Sequence, residues 1–285
     1  MSSRSPAATE AAPRNRLLAA LPPDELRRVL DRLEPVELEL RKVVVEPNRP
    51  IEHVHFVESG IVSIVSLMAD GSAIETATVG NEGMVGLPVF LDAGSMAAQA
   101  FVQVAGHGYR MAAADLREEV RRGGALAGAL GRYTQALFTL LAQASACNRK
   151  HTVDERCARW LLLTHDRAGG DTFELTHLFL SQMLGVRRAS VTEVAGRLQA
   201  AGFIDYRRGR ITVLDRPGLE SASCECYAII RAEFARLLDG ASLPSPLDAV
   251  TPTGDDGKTE TGDGAPRRAG DGPAGPRGDR IPSPA

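Results

Sequence analysis

Six side chains within a short stretch have the types and spacing to contact a polyanion: Arg187, Arg188, Ser190, Thr192, Glu193 and Arg197. Guanidinium groups fork onto guanine or neutralise phosphates. Hydroxyls bond phosphates or base edges, and a carboxylate can accept from the cytosine amino group. Val191, Val194, Ala195 and Leu198 make the opposite, apolar face of a helix expected over about 188–200, which leaves the six outside. Upstream, Thr176 is suited to capping a first helix whose Phe179, Leu180 and Met183 face inward. Thr176, Ser181 and Gln182 add polar groups to the same candidate interface. Gly185 ends that first helix, because glycine tolerates a left-handed cap, and Val186 plugs the turn. Beyond Gly202, Phe203–Tyr206 and Ile211–Leu214 read as two strands joined by the basic tip Arg207-Arg208-Gly209-Arg210. Helix, glycine turn, helix and basic hairpin together form the pattern of a winged helix-turn-helix. Double-stranded DNA is the expected partner, with Arg188, Ser190 and Thr192 at the end of the helix that enters the major groove.

Charge supports this placement. Residues 149–216 hold 12 basic against 8 acidic side chains, whereas the stretches on either side are net acidic. The remaining elements must position that module. Leu17, Leu18, Leu21, Leu26, Val29, Leu30 and Leu33 recur at helical spacing, interrupted at Pro22-Pro23. Short β-prone runs follow at 43–45, 51–57, 61–67, 74–79 and 100–104, separated by Gly or Pro, with a hairpin signal at Asp70-Gly71. Many short strands with turns between them suggest a sandwich, jelly roll or barrel. A short helix over 112–122 leads to a long one over 125–150. Its apolar stripe of Leu126, Leu130, Tyr133, Leu137, Leu140, Leu141 and Ala144 suits either its own domain or a partner helix. Helices are also expected over 154–168 and 219–238. The ends, 1–14 and 239–285, are too rich in Pro, Gly, Ser and Ala or Asp to bury a core and should be disordered.

No apolar run of about 18 residues and no signal-peptide core occurs, so the expected place is the cytoplasm, with no membrane partner. The four cysteines, Cys147, Cys157, Cys224 and Cys226, follow no ordinary ligand spacing and read as free thiols on helices. No catalytic residue, cofactor or metal is expected, since phosphate loops and nucleophile elbows are lacking. One alternative is a cupin-like metal sensor or enzyme using His53, His55 and Glu58, with His107 as a third imidazole. Another is a protein-binding adaptor with a vestigial winged helix.

Over about 15–238 the chain resembles the family of the cyclic-AMP receptor protein and Fnr. The resemblance is most specific in L-S-Q-M-L-G-V-R-R-A-S-V-T and D-Y-R-R-G-R-I-T-V-L. It implies an α+β fold. Residues 15–122 would form a β-roll (jelly-roll, cyclic-nucleotide-binding-like) sensor domain, 123–150 a dimerisation helix and 151–238 the winged helix-turn-helix. It also implies a homodimer on promoter DNA, with RNA polymerase as a further partner there. The effector cassette would fall on Gly80, Glu82, Gly83, Met84, Gly86, Leu87, Met96, Ala97 and Gln99, in a degenerate form. Gly86 is followed by Leu87 where cyclic-AMP binders carry a glutamate for the ribose. Met96-Ala97 stand where an arginine pair holds the phosphate, and Leu141-Ala142 lack the hydroxyl that meets the base. Without the arginine a buried phosphate has no counter-charge, so cyclic-AMP binding is not expected and the effector stays open. Fnr-type iron–sulfur sensing needs N-terminal cysteines, and residues 1–146 contain none. In the recognition helix Ala189 replaces a glutamate and Glu193 an arginine of the common pattern, which implies a different target sequence.

Overall fold

A computed structural model describes residues 12–240. The disorder expected for most of 1–14 and of 239–285 lies outside the described residues. Two short helices, α1 (Arg16–Ala19) and α2 (Pro23–Leu30), open the chain. Eight strands follow: β1 (Glu34–Leu38), β2 (Val43–Val45), β3 (His53–Val57), β4 (Ile61–Leu67), β5 (Ala73–Val79), β6 (Met84–Val85), β7 (Gln99–Val104) and β8 (Gly106–Ala112). One helical turn, α3 (Leu87–Phe90), separates β6 from β7. The strands form two four-stranded antiparallel sheets, ordered β1-β8-β3-β6 and β2-β7-β4-β5. Val54, Phe56, Val62, Val65, Val79 and Val102 are fully buried in one continuous core. This is the expected β-roll.

Three strands, β1, β6 and β8, were not among the β-prone runs. β1 contains Pro35, which is tolerated because β1 is a sheet edge where a missing N–H breaks no ladder. β8 begins at Gly106, whose missing Cβ lets it lie against the Ser59 carbonyl. Such composition hides a strand from pattern reading.

After α4 (Ala113–Arg122) comes α5 (Ala125–Lys150), with the bounds the periodicity implies. His151 and Thr152 are extended, and Thr152 with Glu155 forms a reciprocal capping box that restarts the helix at once as α6 (Val153–Ala168). The C-terminal module continues with β9 (Thr172–Glu174), α7 (His177–Leu184), α8 (Arg188–Ala200), β10 (Ile204–Arg207) and β11 (Arg210–Val213). It ends with α9 (Arg216–Ser221) and α10 (Cys226–Asp239). The single helix expected over 219–238 is therefore two. The Ser223 hydroxyl donates to the Glu220 carbonyl at 2.8 Å and closes α9 before α10 begins.

The apolar stripe of α5 answers its own question. Leu126, Leu130, Tyr133, Leu137 and Leu140 are buried within this chain, partly beneath α10, where Phe234 meets Tyr133 edge-on at 6.5 Å. Leu141, at the margin of the stripe, is left to solvent together with Phe138, which was not part of it.

Two polar links tie α6 to the roll. Trp160 Nε1 donates to Glu75 Oε1 at 2.6 Å, and Arg167 Nε donates to Glu82 Oε1 at 2.7 Å. Burial pushes the Glu75 carboxyl up to about 7, against the opposing pull of hydrogen bonds from Ser63 and Trp160. The folded protein thus holds that proton more tightly than the unfolded chain. Its stabilising contribution is complete below about 4.5 and is lost as pH rises through about 7. Glu75→Gln is expected to flatten the pH dependence of stability across that window by up to about 3 kcal/mol. Urea denaturation at about pH 5 and about pH 8 measures this, and an unchanged pH dependence in the variant would refute it.

Candidate nucleic-acid interface and sensor cavity

The Thr176 hydroxyl caps α7 by accepting from the Phe179 N–H at 3.1 Å. Gly185 closes the helix in the left-handed region at φ 63°, its N–H donating to the Gln182 carbonyl, so any side chain here would be strained. Val186 then enters the turn, and α8 starts two residues later. Val191, Val194, Ala195 and Leu198 are buried beneath it. Arg187, Arg188, Thr192, Glu193 and Arg197 are exposed, and Ser190 is half-buried. Arg187 is the N-cap residue and makes no side-chain cap, so the first N–H groups of α8 open beside two arginines.

Some of the proposed contact residues are committed elsewhere. Ser181 turns inward, buried, and donates to the Leu178 carbonyl at 2.7 Å, so it does not face outward as expected. Gln182 beside it is exposed. Arg197 forks onto Asp154 with two bonds of 2.7 Å, which fixes α8 to the start of α6. The Thr192 hydroxyl bonds the Arg188 carbonyl at 3.1 Å and meets His177 Nδ1 at 3.1 Å. His177, which sequence reasoning missed, also stacks on Tyr206 at 4.4 Å and 11°. It joins α7, α8 and the wing strand. Desolvation, reinforced by Arg188, lowers its pKa.

The wing is β10-β11, with β9 added beside β11. Its two-residue tip, Arg208 and Gly209, has φ of 53° and 78°, positive at both positions as a tight hairpin turn demands. Arg207 reaches Asp205 at 3.0 Å and Arg210 reaches Glu174 at 3.9 Å, both guanidiniums more than half exposed. Such surface pairs are worth little, so these cations remain available to phosphates. Arg208 makes no ion pair among the described residues.

The expected effector cassette separates into two groups. Met84, Gly86, Leu87 and Met96 line a cavity of about 220 Å³ between the roll and α5, closed on the helix side by Leu137, Phe138 and Leu141. No charged side chain is among its lining residues. Glu82 is drawn away, buried in its pair with Arg167 and accepting the Gly80 N–H at 3.2 Å. The Gly83 carbonyl accepts from the Asn15 side chain at 2.8 Å. Ala97 and Gln99 lie outside the lining.

The cupin-like alternative finds its ligands spent or scattered. Glu58 accepts the Arg14 and Asn15 N–H groups at 2.7 and 3.1 Å, and His107 pairs with the Ser59 hydroxyl at 2.8 Å. Burial holds His55 neutral, its pKa lowered to about 4. The described residues whose ligand atoms do gather for one ion are others: Cys147, His151, Cys224 and Cys226.

A β-roll joined through a long helix to a winged helix-turn-helix defines a class of two-module regulator, one module for sensing and one for DNA. Residues 35–122 match the cyclic nucleotide-binding domain, and residues 155–222 match the Crp-like helix-turn-helix domain. Together these matches span more than half of the 285 residues, and the chain belongs to the Crp/Fnr family of DNA-binding transcription regulators, which are not enzymes. Among curated proteins none matches the sequence significantly. Solved structures share the fold. FixK2 from Bradyrhizobium japonicum aligns with a TM-score of 0.59 at 18% identity, covering 67% of this chain and 98% of that one. A Crp/Fnr-family regulator from Eubacterium rectale gives 0.57 at 18%, covering 71% and 94%. The c-di-GMP responsive global regulator CLP of Xanthomonas campestris gives 0.54 at 17%, covering 67% and 98%. No helix among the described residues is long and apolar enough to cross a membrane.

Proposed function

We propose that this regulator binds promoter DNA in the cytoplasm as a homodimer, placing α8 of each copy in successive major grooves and the wing arginines on phosphates. The observation that carries this is the pairing of an exposed, arginine-led α8 with a basic, tightly turned wing in one module. Arg188 and Glu193 are the base readers, with Ser190, half-buried, and Thr192, whose hydroxyl also bonds the Arg188 carbonyl, beside them. Arg187, Arg207, Arg208 and Arg210 hold the backbone, with Thr176 and Gln182 beside them. RNA polymerase would be met at the promoter.

The dimer face is the solvent side of α5. Phe138 is 59% exposed and Leu141 36%, a pair of large apolar groups that a second copy of the helix would remove from water. Both also wall the cavity, so what fills the cavity bears on how the two helices meet. An uncharged, oily lining supplies no counter-charge for a cyclic phosphate, which supports an apolar effector and no cyclic-AMP binding.

Sedimentation and DNA binding test the assembly together. The wild type is expected at twice the 30.4 kDa chain mass. Phe138→Glu is expected to sediment as a monomer and to lose at least about tenfold in DNA affinity, because each half-site then binds alone. A wild-type monomer that binds DNA fully would contradict the dimer. Titration with cyclic AMP should give no saturable heat, and micromolar binding would overturn the account of the cavity.

A further inference from the structure

Three of the four cysteines, Cys147, Cys224 and Cys226, converge at the joint between α5 and α6, although 77 residues separate Cys147 from Cys224. Cys147 occupies the last turn of α5 and His151 follows it by one turn, which puts both on one face. Cys224 lies in the break between α9 and α10, and Cys226 opens α10. We propose that Cys147, His151, Cys224 and Cys226 bind one zinc ion, clamping α10 to the end of α5.

Distances suit a single ion. Cys147 Sγ lies 3.5 Å from Cys224 Sγ, Cys226 Sγ lies 3.5 Å from His151 Nδ1, and all four ligand atoms fall within 4.8 Å of one another. A tetrahedral zinc with Zn–S of about 2.3 Å and Zn–N of about 2.0 Å places neighbouring donors about 3.5–3.8 Å apart. The spread leaves room for one ion and not for a cube of iron and sulfide. Four protein donors of sulfur and nitrogen close the shell, as in structural zinc sites.

The surroundings fit as well. His151 Nε2 lies 3.2 Å from Glu225 Oε2. A hydrogen bond there fixes the tautomer with its proton on Nε2 and turns the bare Nδ1 toward the thiols, the second-shell pattern of zinc-bound imidazoles. Three thiolates, a neutral imidazole and Zn²⁺ carry a net charge of −1. The cations that offset it stand on α6: Arg156 and Arg159 act on the thiols, and the buried Nε of each has no hydrogen-bond partner. Loading would release to solvent whatever protons the thiols hold. Cys157, fully buried one turn into α6, is not in the group.

The full-length chain, purified under reducing conditions with added zinc, is expected to retain about one zinc per chain through gel filtration. Cobalt in place of zinc should show the intense ligand-field bands of a tetrahedral thiolate site together with a thiolate-to-cobalt charge-transfer band. Glu225→Ala, at an exposed position, should weaken zinc binding about 10–100-fold. Cys224→Ser with Cys226→Ser should abolish stoichiometric binding, and Cys157→Ala should not. If the double variant fails to fold, the wild-type cobalt spectrum decides alone. Substoichiometric metal in the wild type, a weak octahedral cobalt spectrum, or a Cys147–Cys224 disulfide in protein that takes up no zinc would overturn the proposal.

Discussion

Arg188→Ala is expected to weaken binding to a selected target duplex by about 5–150-fold per half-site, the loss of 1–3 kcal/mol that a bidentate base contact provides. The substituted residue is exposed at the start of α8 with no ion pair among the described residues, so the fold should be untouched. The loss should also be selective. Discrimination against changes at one base pair of the half-site should relax, as expected of the proposed base reader. Arg208→Ala makes the contrast. Its side chain stands at the wing tip; as a proposed phosphate contact that reads no base, its loss should lower affinity evenly across sequences. The slope of log affinity against log salt should then shrink by about one. Fluorescence anisotropy with the target and point-substituted duplexes separates the two effects. Equal affinity for Arg188→Ala and wild type on every duplex would remove α8 from the interface.

Arg167→Met is expected to cost about 3–5 kcal/mol of folding stability, the penalty of stranding a buried charge. Arg167 and Glu82 are each only 6% exposed at the side chain and bond at 2.7 Å. The arginine is further held by the Leu163 carbonyl at 2.8 Å and lies over the Phe234 ring at 5.9 Å. Methionine keeps most of the apolar stem but leaves Glu82 without its cation. The double variant Arg167→Met, Glu82→Gln should recover most of the loss, since no bare charge then remains. Because this pair links the β5–β6 loop of the roll to α6, the single variant should also loosen the DNA-binding module before global unfolding. Hydrogen exchange in α6 would show it. A cost below about 1 kcal/mol would mean that the pair is solvated.

Local signals carried the sequence furthest. Thr176, Gly185 and the buried periodicity of α8 are each set within one turn of chain, so the helix-turn-helix and its bounds could be read directly. The ends of α5 were legible for the same reason. Long-range choices were not. Periodicity shows that α5 has an apolar stripe, but only the packing of α10 and the roll shows that most of the stripe is consumed within the chain, leaving Leu141 and Phe138 outside. Ser181 looked like an outward hydroxyl because its polarity says nothing about which way a short helix rolls. His177 and Tyr206 are 29 residues apart, and their stack depends on the wing folding back over α7. The cysteines matched no ligand spacing because the site is split between a helix end and a helix break, with a histidine in the gap. An edge strand containing Pro35 and an inner strand opened by Gly106 carry too little β signal to be seen.

The most direct test of dimeric, α8-led DNA recognition is selection of genomic fragments by the purified full-length protein at low salt. An inverted repeat is expected among the bound sequences, its half-site centres about one helical turn, roughly 34 Å, apart. Enrichment of single, unrepeated sites, or of no sequence at all, would contradict it.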